Sequence, residues 1–422
     1  MIRRLTNNHS HPGQPRTVPI SAFVLRELLR ELLLLDSHSS DYHCRAASGW
    51  DPGQKATIMA DEQQDQQNLV YVSAQEAQAY AERVLQANGL SPTNATIVAH
   101  GLVAADLRGI DTHGINRLPS YLTRIRQGVL DPHAEPTLHI KTPVAAQIDA
   151  HNNFGFIAAA QGIQHACAVA QTYGIGMVSI KHSNHFGMSA HLCQTALDHP
   201  SGPMMSLVFT NSSPALPPYG GRSKLLGVSP IACGSPGGPK HPDFILDMAP
   251  SVAARGKIYK ALRRGEKIPM DWALDAAGAP TDDPAKALED GAVMLPMGGP
   301  KGSALAIMMD VFSGVFSGAA FAGGVTGPYD PSRPADVGHF LVCIRPDLFM
   351  SREEFGERMD VLYERVTQGE RAQGVERIYM PGELEQITER KRREEGIPFV
   401  KGEVEGLDAE ARKCGIEGLR VM

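Results

Sequence analysis

No C-x-x-C pair occurs in the 422 residues: Cys44, Cys167, Cys193, Cys233, Cys343 and Cys414 stand far apart. That excludes a zinc knuckle or redox dithiol of the usual spacing and suits reduced thiols in an intracellular protein. No apolar run reaches the roughly 20 residues that a membrane helix needs. The longest candidate, Ala304 to Ala319, is shorter and carries Asp310. Positive charge is not in excess either, with 40 Lys and Arg against 46 Asp and Glu, so neither nucleic acid nor an anionic membrane is expected as a partner. The one basic run, Lys391-Arg392-Arg393, lies among Glu389, Glu394 and Glu395 and reads as a solvated helix face. The 42 glycines and 30 prolines are spread along the chain without a repeat or low-complexity tract, which leaves a globular protein with many turns.

Residues 1–58 differ from the rest. No acid precedes Glu27, Arg3 and Arg4 come early, and a leucine-rich stretch runs from Phe23 to Leu35. Basic, acid-poor beginnings resemble mitochondrial presequences, but Glu27, Glu31 and Asp36 interrupt the pattern. We read the segment as an extension without catalytic part, disorder being its expected state, and Met59 as opening an ordinary amino terminus. The expected compartment is the cytoplasm, with the mitochondrion as the alternative if the extension is a presequence.

From Ser73 the helix signals are plain. Ser73-Ala74-Gln75-Glu76 forms a capping-box pattern, the helix it opens stops at Gly89, and Ser91-Pro92 opens a second helix that ends near Gly109. After about Thr142 strands and helices alternate: strand Val144–Asp149, helix Phe156–Tyr173, strand Gly176–Ile180, helix Gly187–Asp198 and strand Met204–Phe209. Further strands are expected at Gly227–Cys233, Phe244–Met248 and His339–Ile344. This is an α/β pattern. Lys301 to Gly318 is apolar nearly all round and predicts a buried helix. The chain from Glu353 on predicts polar helices.

The dinucleotide cradle G-x-G-x-x-G is absent. Gly298-Gly299-Pro300-Lys301-Gly302-Ser303 is not a P-loop, because Gly302 separates the lysine from the serine, yet a glycine-rich turn opening a helix predicts an anion site. Arg108 to Arg117 packs His113, Asp111 and two arginines into ten residues; this suits either a small anionic substrate or a capped surface turn. His182-Ser183-Asn184-His185-Phe186-Gly187 follows a strand and precedes a helix, where α/β proteins place chemistry. An acid–base histidine and a plain core or surface histidine are both open there. A metal set of His182, His185 and His191 lacks an acid, a cysteine and the H-E-x-x-H spacing, so no metal is expected. Ser212 and Ser213 lie outside any G-x-S-x-G elbow and read as turn residues.

Taken in order, these clusters resemble the malate/L-lactate dehydrogenase family, which also holds ureidoglycolate, sulfolactate, diketogulonate and piperideine-carboxylate enzymes. The resemblance is carried by Arg108 to Arg117, Leu118 to Tyr121, Asn153 to Gly155, Ser183 to Gly187, Asn211 to Pro214 and Pro218 to Gly221. It continues through Asp247 to Ala249, Gly256 to Ile258, Ile268-Pro269, Trp272-Ala273, Thr281 to Pro284, Gly298 to Gly302 and Pro381 to Glu383. It spans about residues 70 to 400.

The resemblance implies an α/β fold with a non-Rossmann, mixed-sheet cofactor domain and a helical lobe formed by both chain ends, in a homodimer. The expected division is 66–141 in the helical lobe, 142–330 as the NAD(P)-binding domain, 331–400 back in the helical lobe and 401–422 as a tail. It implies NAD or NADP as cofactor and a small carboxylate, a 2-hydroxy acid and its 2-oxo acid, as substrate. His185 matches the acid–base histidine, His113 an alternative proton donor, and Arg117 the carboxylate clamp. Phe186, Gly187, Asn211, Ser212, Ser213, Asp247, Met248, Ala249, Pro300, Lys301 and Gly302 match cofactor-contacting segments. The chain departs from the family pattern at Val228, Ser229, Pro250, Ser303 and Ala304, beside the expected cofactor. A cyclic imine acid or a ureido acid is an alternative substrate, and a dimeric binding protein without turnover an alternative function.

Overall fold

The structure, a computed structural model, describes residues 68–422; the readings of residues 1–58 lie outside the described residues. The described chain enters on strand β1 (Leu69–Val72). Ser73 then caps helix α1 (Ala74–Ala87), its Oγ accepting the Glu76 N–H at 3.1 Å. Only this half of the expected capping box forms, because the Glu76 carboxylate pairs with Arg83 at 2.9 Å instead. Ser91 caps α2 (Pro92–Leu107), and α3 (Leu118–Arg126) follows two short 3-10 turns. Tyr80, Val84 and Leu85 of α1 share one core with Val98 and Leu102 of α2. Each such fully buried side chain contributes about 1.5–3 kcal/mol by leaving water.

The middle of the chain builds a sheet. Strands β2 (Thr137–Thr142) and β3 (Ala145–Asp149) lead to α4 (Gly155–Tyr173), β4 (Ile175–Ser183), α5 (Ser189–Leu197) and β5 (Met205–Thr210). The short β6 (Pro214–Leu216) and β7 (Leu226–Gly227) precede β8 (Ile231–Ser235) and β9 (Phe244–Met248). An excursion follows with α6 (Arg255–Arg264), β10 (Ala273–Leu274), α7 (Pro284–Leu288) and β11 (Val293–Met294). Helix α8 (Pro300–Asp310) runs on into a π-helical turn, Val311–Val315. Last come β12 (Val337–Ile344), α9 (Arg352–Thr367), α10 (Glu383–Glu395), β13 (Ile397–Val400) and α11 (Lys401–Cys414).

Seven strands pair in the order β2-β3-β4-β12-β5-β8-β9. Only β3 and β4, joined through α4, are parallel; the other five pairings are antiparallel. The fold is thus α/β with a mixed sheet.

Three sequence expectations need correction. The return to a helical layer does not start at residue 331, because β12 is the middle strand of the sheet, between β4 and β5. Its run Val337-Gly338-His339-Phe340-Leu341-Val342-Cys343 is buried on both faces, as a near-continuous apolar strand requires. Residues 401–422 are not a loose tail: Val404, Leu407 and Ala411 of α11 enter the core of α1 and α2, and the Tyr80 hydroxyl donates to the Leu407 carbonyl at 2.6 Å. The helix from Lys301 is not buried all round either. Ile307, Val311, Val315 and Phe316 are exposed along it.

Candidate active site

Two loops that lie far apart in sequence meet at a cleft of about 1140 Å³, slightly above the roughly 300–1,000 Å³ of ordinary small-molecule pockets. The first loop joins α2 to α3 and carries His113 and Arg117. Its shape is set from below by Asp106, a buried carboxylate on α2. Asp106 Oδ2 accepts the Ile115 N–H at 2.9 Å. A Cβ on Gly114 would stand 1.5 Å from Asp106 Oδ1, so only glycine fits between. Burial pushes the Asp106 carboxyl well above the carboxylate range, against the bond from Ile115. Arg392 of α10 fastens the same loop by bonding both the Asp106 carbonyl and the Asp111 carboxylate.

The second loop follows β4. Asn184 Nδ2 ties it to the Asn152 and Asn153 carbonyls, each at 3.0 Å, and Gly187 turns it at φ +83°, a left-handed conformation that favours glycine. Between them stands His185. Its Nδ1 lies 2.7 Å from the Tyr121 hydroxyl and 3.2 Å from the Gly187 amide, which leaves Nε2 as the nitrogen for a ligand. The His113 ring centre is 5.3 Å from that of His185, and His113 Nδ1 is 3.0 Å from Thr112 Oγ1. Arg117 Nε donates to the Thr112 carbonyl at 2.5 Å, whereas its buried Nη1 has no partner among the described residues.

These groups set one another's charge. Burial, then the Arg117 cation, lowers His113 to about 4. Burial, Arg117, His113 and His339 hold His185 well below the usual histidine range. Burial keeps the Tyr121 phenol protonated well above its ordinary range. The site therefore presents two neutral imidazoles beside one guanidinium. Behind it, His339 of β12 links the strand ends: its Nδ1 is 2.7 Å from Thr210 Oγ1, its Nε2 2.9 Å from Ser183 Oγ, and Phe186 packs edge-on against its ring. Burial takes His339 down to about 3.

The expected cofactor residues divide. Phe186, Gly187, Asn211, Ser212, Ser213, Asp247, Met248 and Ala249 line the same cleft as His113, Arg117 and His185. The Asn211 side chain is already engaged: Oδ1 accepts from Gly338 N at 2.9 Å, and Nδ2 donates to the Ala320 carbonyl at 2.7 Å. It holds a turn rather than offering a free amide. Asp247 opens to the cleft and accepts the Ala190 N–H at 2.7 Å, and desolvation by the surrounding protein raises its carboxyl to about 6. Pro300, Lys301 and Gly302 stand outside the lining. The free N–H groups expected at that helix start are taken: Lys301 N bonds Gly298 O, Gly302 N bonds Met297 O and Ser303 N bonds Gly299 O. Besides Arg117 and Arg124, the basic groups that line the cleft are Lys224, Arg255, Lys257 and the buried Arg108.

His182 and His191 leave the cleft. His182 Nδ1 is 3.0 Å from the Asp149 carboxylate, and His191 packs on His100. Sequence reasoning missed Tyr121, Arg124, Tyr329 and His339 as site residues. Tyr121 and Arg124 had a signal, since they fall about one and two helical turns after Arg117; Tyr329 and His339 arrive through long-range folding.

The chain matches the model of the malate/L-lactate dehydrogenase family over residues 72–408. L-sulfolactate dehydrogenase of Methanocaldococcus jannaschii is 37% identical over 311 residues, 74% of this chain and 88% of the relative. A solved structure of sulfolactate dehydrogenase from that organism has a TM-score of 0.77 at 34% identity, covering 82% of this chain and 98% of the other. Ureidoglycolate dehydrogenase (NAD(+)) of Escherichia coli K12 is 35% identical over 74% of this chain and 87% of its own length. (2R)-3-sulfolactate dehydrogenase (NADP(+)) of Chromohalobacter salexigens is 31% identical over 76% of this chain and 93% of its own. The chain belongs to the malate/L-lactate dehydrogenase family and is an NAD- or NADP-dependent dehydrogenase acting on CH–OH groups.

Proposed function

We propose that this dehydrogenase interconverts a small 2-hydroxy acid and its 2-oxo acid. The observation that carries the reading is Arg117 Nη1, buried and unpartnered beside two neutral histidines. A buried donor without a partner costs about 1–3 kcal/mol, and a carboxylate supplies the missing acceptor with charge assistance. The nicotinamide, when bound, supplies the hydride chemistry at carbon 2. Arg117 holds the carboxylate. In the tautomer whose Nδ1–H donates to the Tyr121 hydroxyl oxygen, His185 Nε2 has a free lone pair, takes the hydroxyl proton in oxidation and returns it in reduction. His113 stands close enough to be the alternative proton carrier. The cleft faces of Phe186, Gly187, Ser212, Ser213 and Asp247 to Ala249 would hold the cofactor, with Asn211 fixing their turn and the phosphates toward Lys224, Arg255 and Lys257.

The cofactor layer is read as non-Rossmann. A doubly wound nucleotide sheet needs parallel strands, whereas a single parallel pair supports a different cradle. We also read the helices of both chain ends as one lobe, on the strength of their common core, and the functional unit as a homodimer. The cysteines among the described residues are free thiols, which suits the cytoplasm.

The deciding experiment follows absorbance of NADH and NADPH with a panel of 2-oxo acids, a cyclic imine acid and a ureido acid. Arg117→Lys replaces a planar fork by a point charge and should raise KM for the acid at least about tenfold, as a loss of 1.4 kcal/mol would. A parent that oxidises neither cofactor with any 2-oxo acid overturns the reading. An unchanged KM in Arg117→Lys and Arg117→Ala removes the clamp.

A further inference from the structure

Arg117 is long and flexible, and a clamp has to be aimed. One edge is fixed within its own loop by the bond from Nε to the Thr112 carbonyl. The guanidinium also sits over an aromatic ring: its carbon lies 4.7 Å from the centre of Tyr329. Tyr329 is 72% exposed, so core packing does not hold it there. Its loop is fastened from beneath instead. Arg124 of α3, only 1% exposed, donates to three main-chain carbonyls of that loop: Gly327 at 3.2 Å, Asp330, and Arg333 at 3.1 Å. Arg333 adds a bond to Thr326 Oγ1 at 2.7 Å and one to the Gly324 carbonyl at 3.3 Å.

A buried guanidinium satisfied by neutral carbonyls is a costly way to shape a loop. Its yield is a rigid frame for one exposed aromatic ring, set against the one guanidinium at the histidine pair that has a free N–H edge. Arg117 is the N-cap residue of α3 and Arg124 lies in its last turn, so one short helix positions both the clamp and the pin of the loop that meets it. Gly327 lies against the Ser213 side chain, 3.0 Å from where its Cβ would be, which also sets the loop beside the Asn211–Pro214 turn.

We infer that Tyr329, presented by the loop that Arg124 fastens, is the positioning residue of the carboxylate clamp. The ring holds the guanidinium from one side, and Nη1, which has no partner among the described residues, is left for the substrate. A cation–π contact uses none of the guanidinium's hydrogen-bond acceptor partners, so it steadies Arg117 without competing with the carboxylate. The inference rests on the reading of Arg117 as the clamp and assigns the loop to the acid end of the substrate, not to the cofactor.

The test uses the full chain, saturated with NADH or NADPH, whichever binds more tightly. Oxamate, an unreactive 2-oxo acid analogue, is titrated by calorimetry, and KM and kcat are measured for the best oxo acid. Tyr329→Leu removes the ring from an exposed position. Its oxamate Kd and its KM should both rise about tenfold, with the loss falling on KM rather than kcat and the cofactor Kd held. Tyr329→Phe keeps the ring and should recover most of that loss. Arg124→Lys cannot span three carbonyls and should lose affinity in the same KM-weighted way. In the double variant with Tyr329→Leu the losses should not add, because one acts through the other. If Arg124→Lys does not fold, the Tyr329 pair decides alone. Oxamate binding and KM equal to the parent's in Tyr329→Leu overturn the inference and leave the clamp standing. An oxamate Kd unchanged in Arg117→Ala means instead that the clamp reading has failed, and this inference with it.

Discussion

His185 and His113 share one environment, and its effect on both is to remove charge. Burial and Arg117 hold each imidazole neutral at pH 7, which is the form that accepts a hydroxyl proton. A bound carboxylate offsets the Arg117 charge and so raises the histidine it faces. The acid limb of kcat, which reports the complex, should therefore lie at higher pH than the acid limb of kcat/KM, which reports the free enzyme. Both limbs describe hydroxy-acid oxidation falling as pH drops and the base is protonated. His185→Asn should lower kcat by about 10²–10⁴, abolish the limb and leave cofactor binding measurable. His113→Asn is the necessary partner experiment. If it abolishes the limb while His185→Asn keeps it, His113 carries the proton and the roles are reversed.

Between α2 and α3 a single contact decides whether those residues can work at all. Asp106 and Gly114 touch so closely that a methyl group on Gly114 would overlap the carboxylate, and the carboxylate cannot swing away without losing the Ile115 N–H. Gly114→Ala should therefore displace the loop and raise KM for the oxo acid by about tenfold or more, while the thermal transition survives because the helices on either side keep their core. A wild-type KM in that variant would mean the loop relaxes freely. This element was partly legible in the sequence: the helix caps, the glycine stops and the clusters around His113 and His185 all stand where local signals put them, and both clusters open on one cleft. What was not legible depends on distant partners. β12 reads as a strand, but its place between β4 and β5 follows from pairings across more than a hundred residues. Lys301 looks like an anion site until the carbonyls of Met297, Gly298 and Gly299 take the amides around it. Tyr329 sits in an unremarked loop, and bonds from the distant Arg124 bring it to Arg117.

On the scale of the whole molecule, the exposed face of α8 and its π-helical turn is the surface assigned to the proposed homodimer. Ile307, Val311 and Val315 recur every fourth residue, and Phe316 and Phe321 extend the patch; all are 45% to 66% exposed. Monomers rarely leave a continuous apolar surface of this kind in water, and a second copy of the chain is the occupant consistent with the proposed homodimer. The patch also leads into the site along the chain. Asp310 accepts the Ala322 N–H at 2.8 Å, the Ala320 carbonyl holds Asn211, and three residues after Ala322 the chain reaches Val325 in the cleft wall. Covering the patch should thus steady both the Asn211 turn and the loop that carries Tyr329. Light scattering of the parent should give twice the chain mass of 45.5 kDa. The double substitution Val315→Glu and Phe316→Ser places a charge and a hydroxyl on the patch and should yield a folded monomer. Its KM for the oxo acid should rise more than its cofactor Kd, because the loop, not the deep cleft, loses support. A parent that is already monomeric, or a double variant that stays dimeric, removes this face as the interface. A monomeric variant with the parent's KM would show that the patch and the clamp loop act independently.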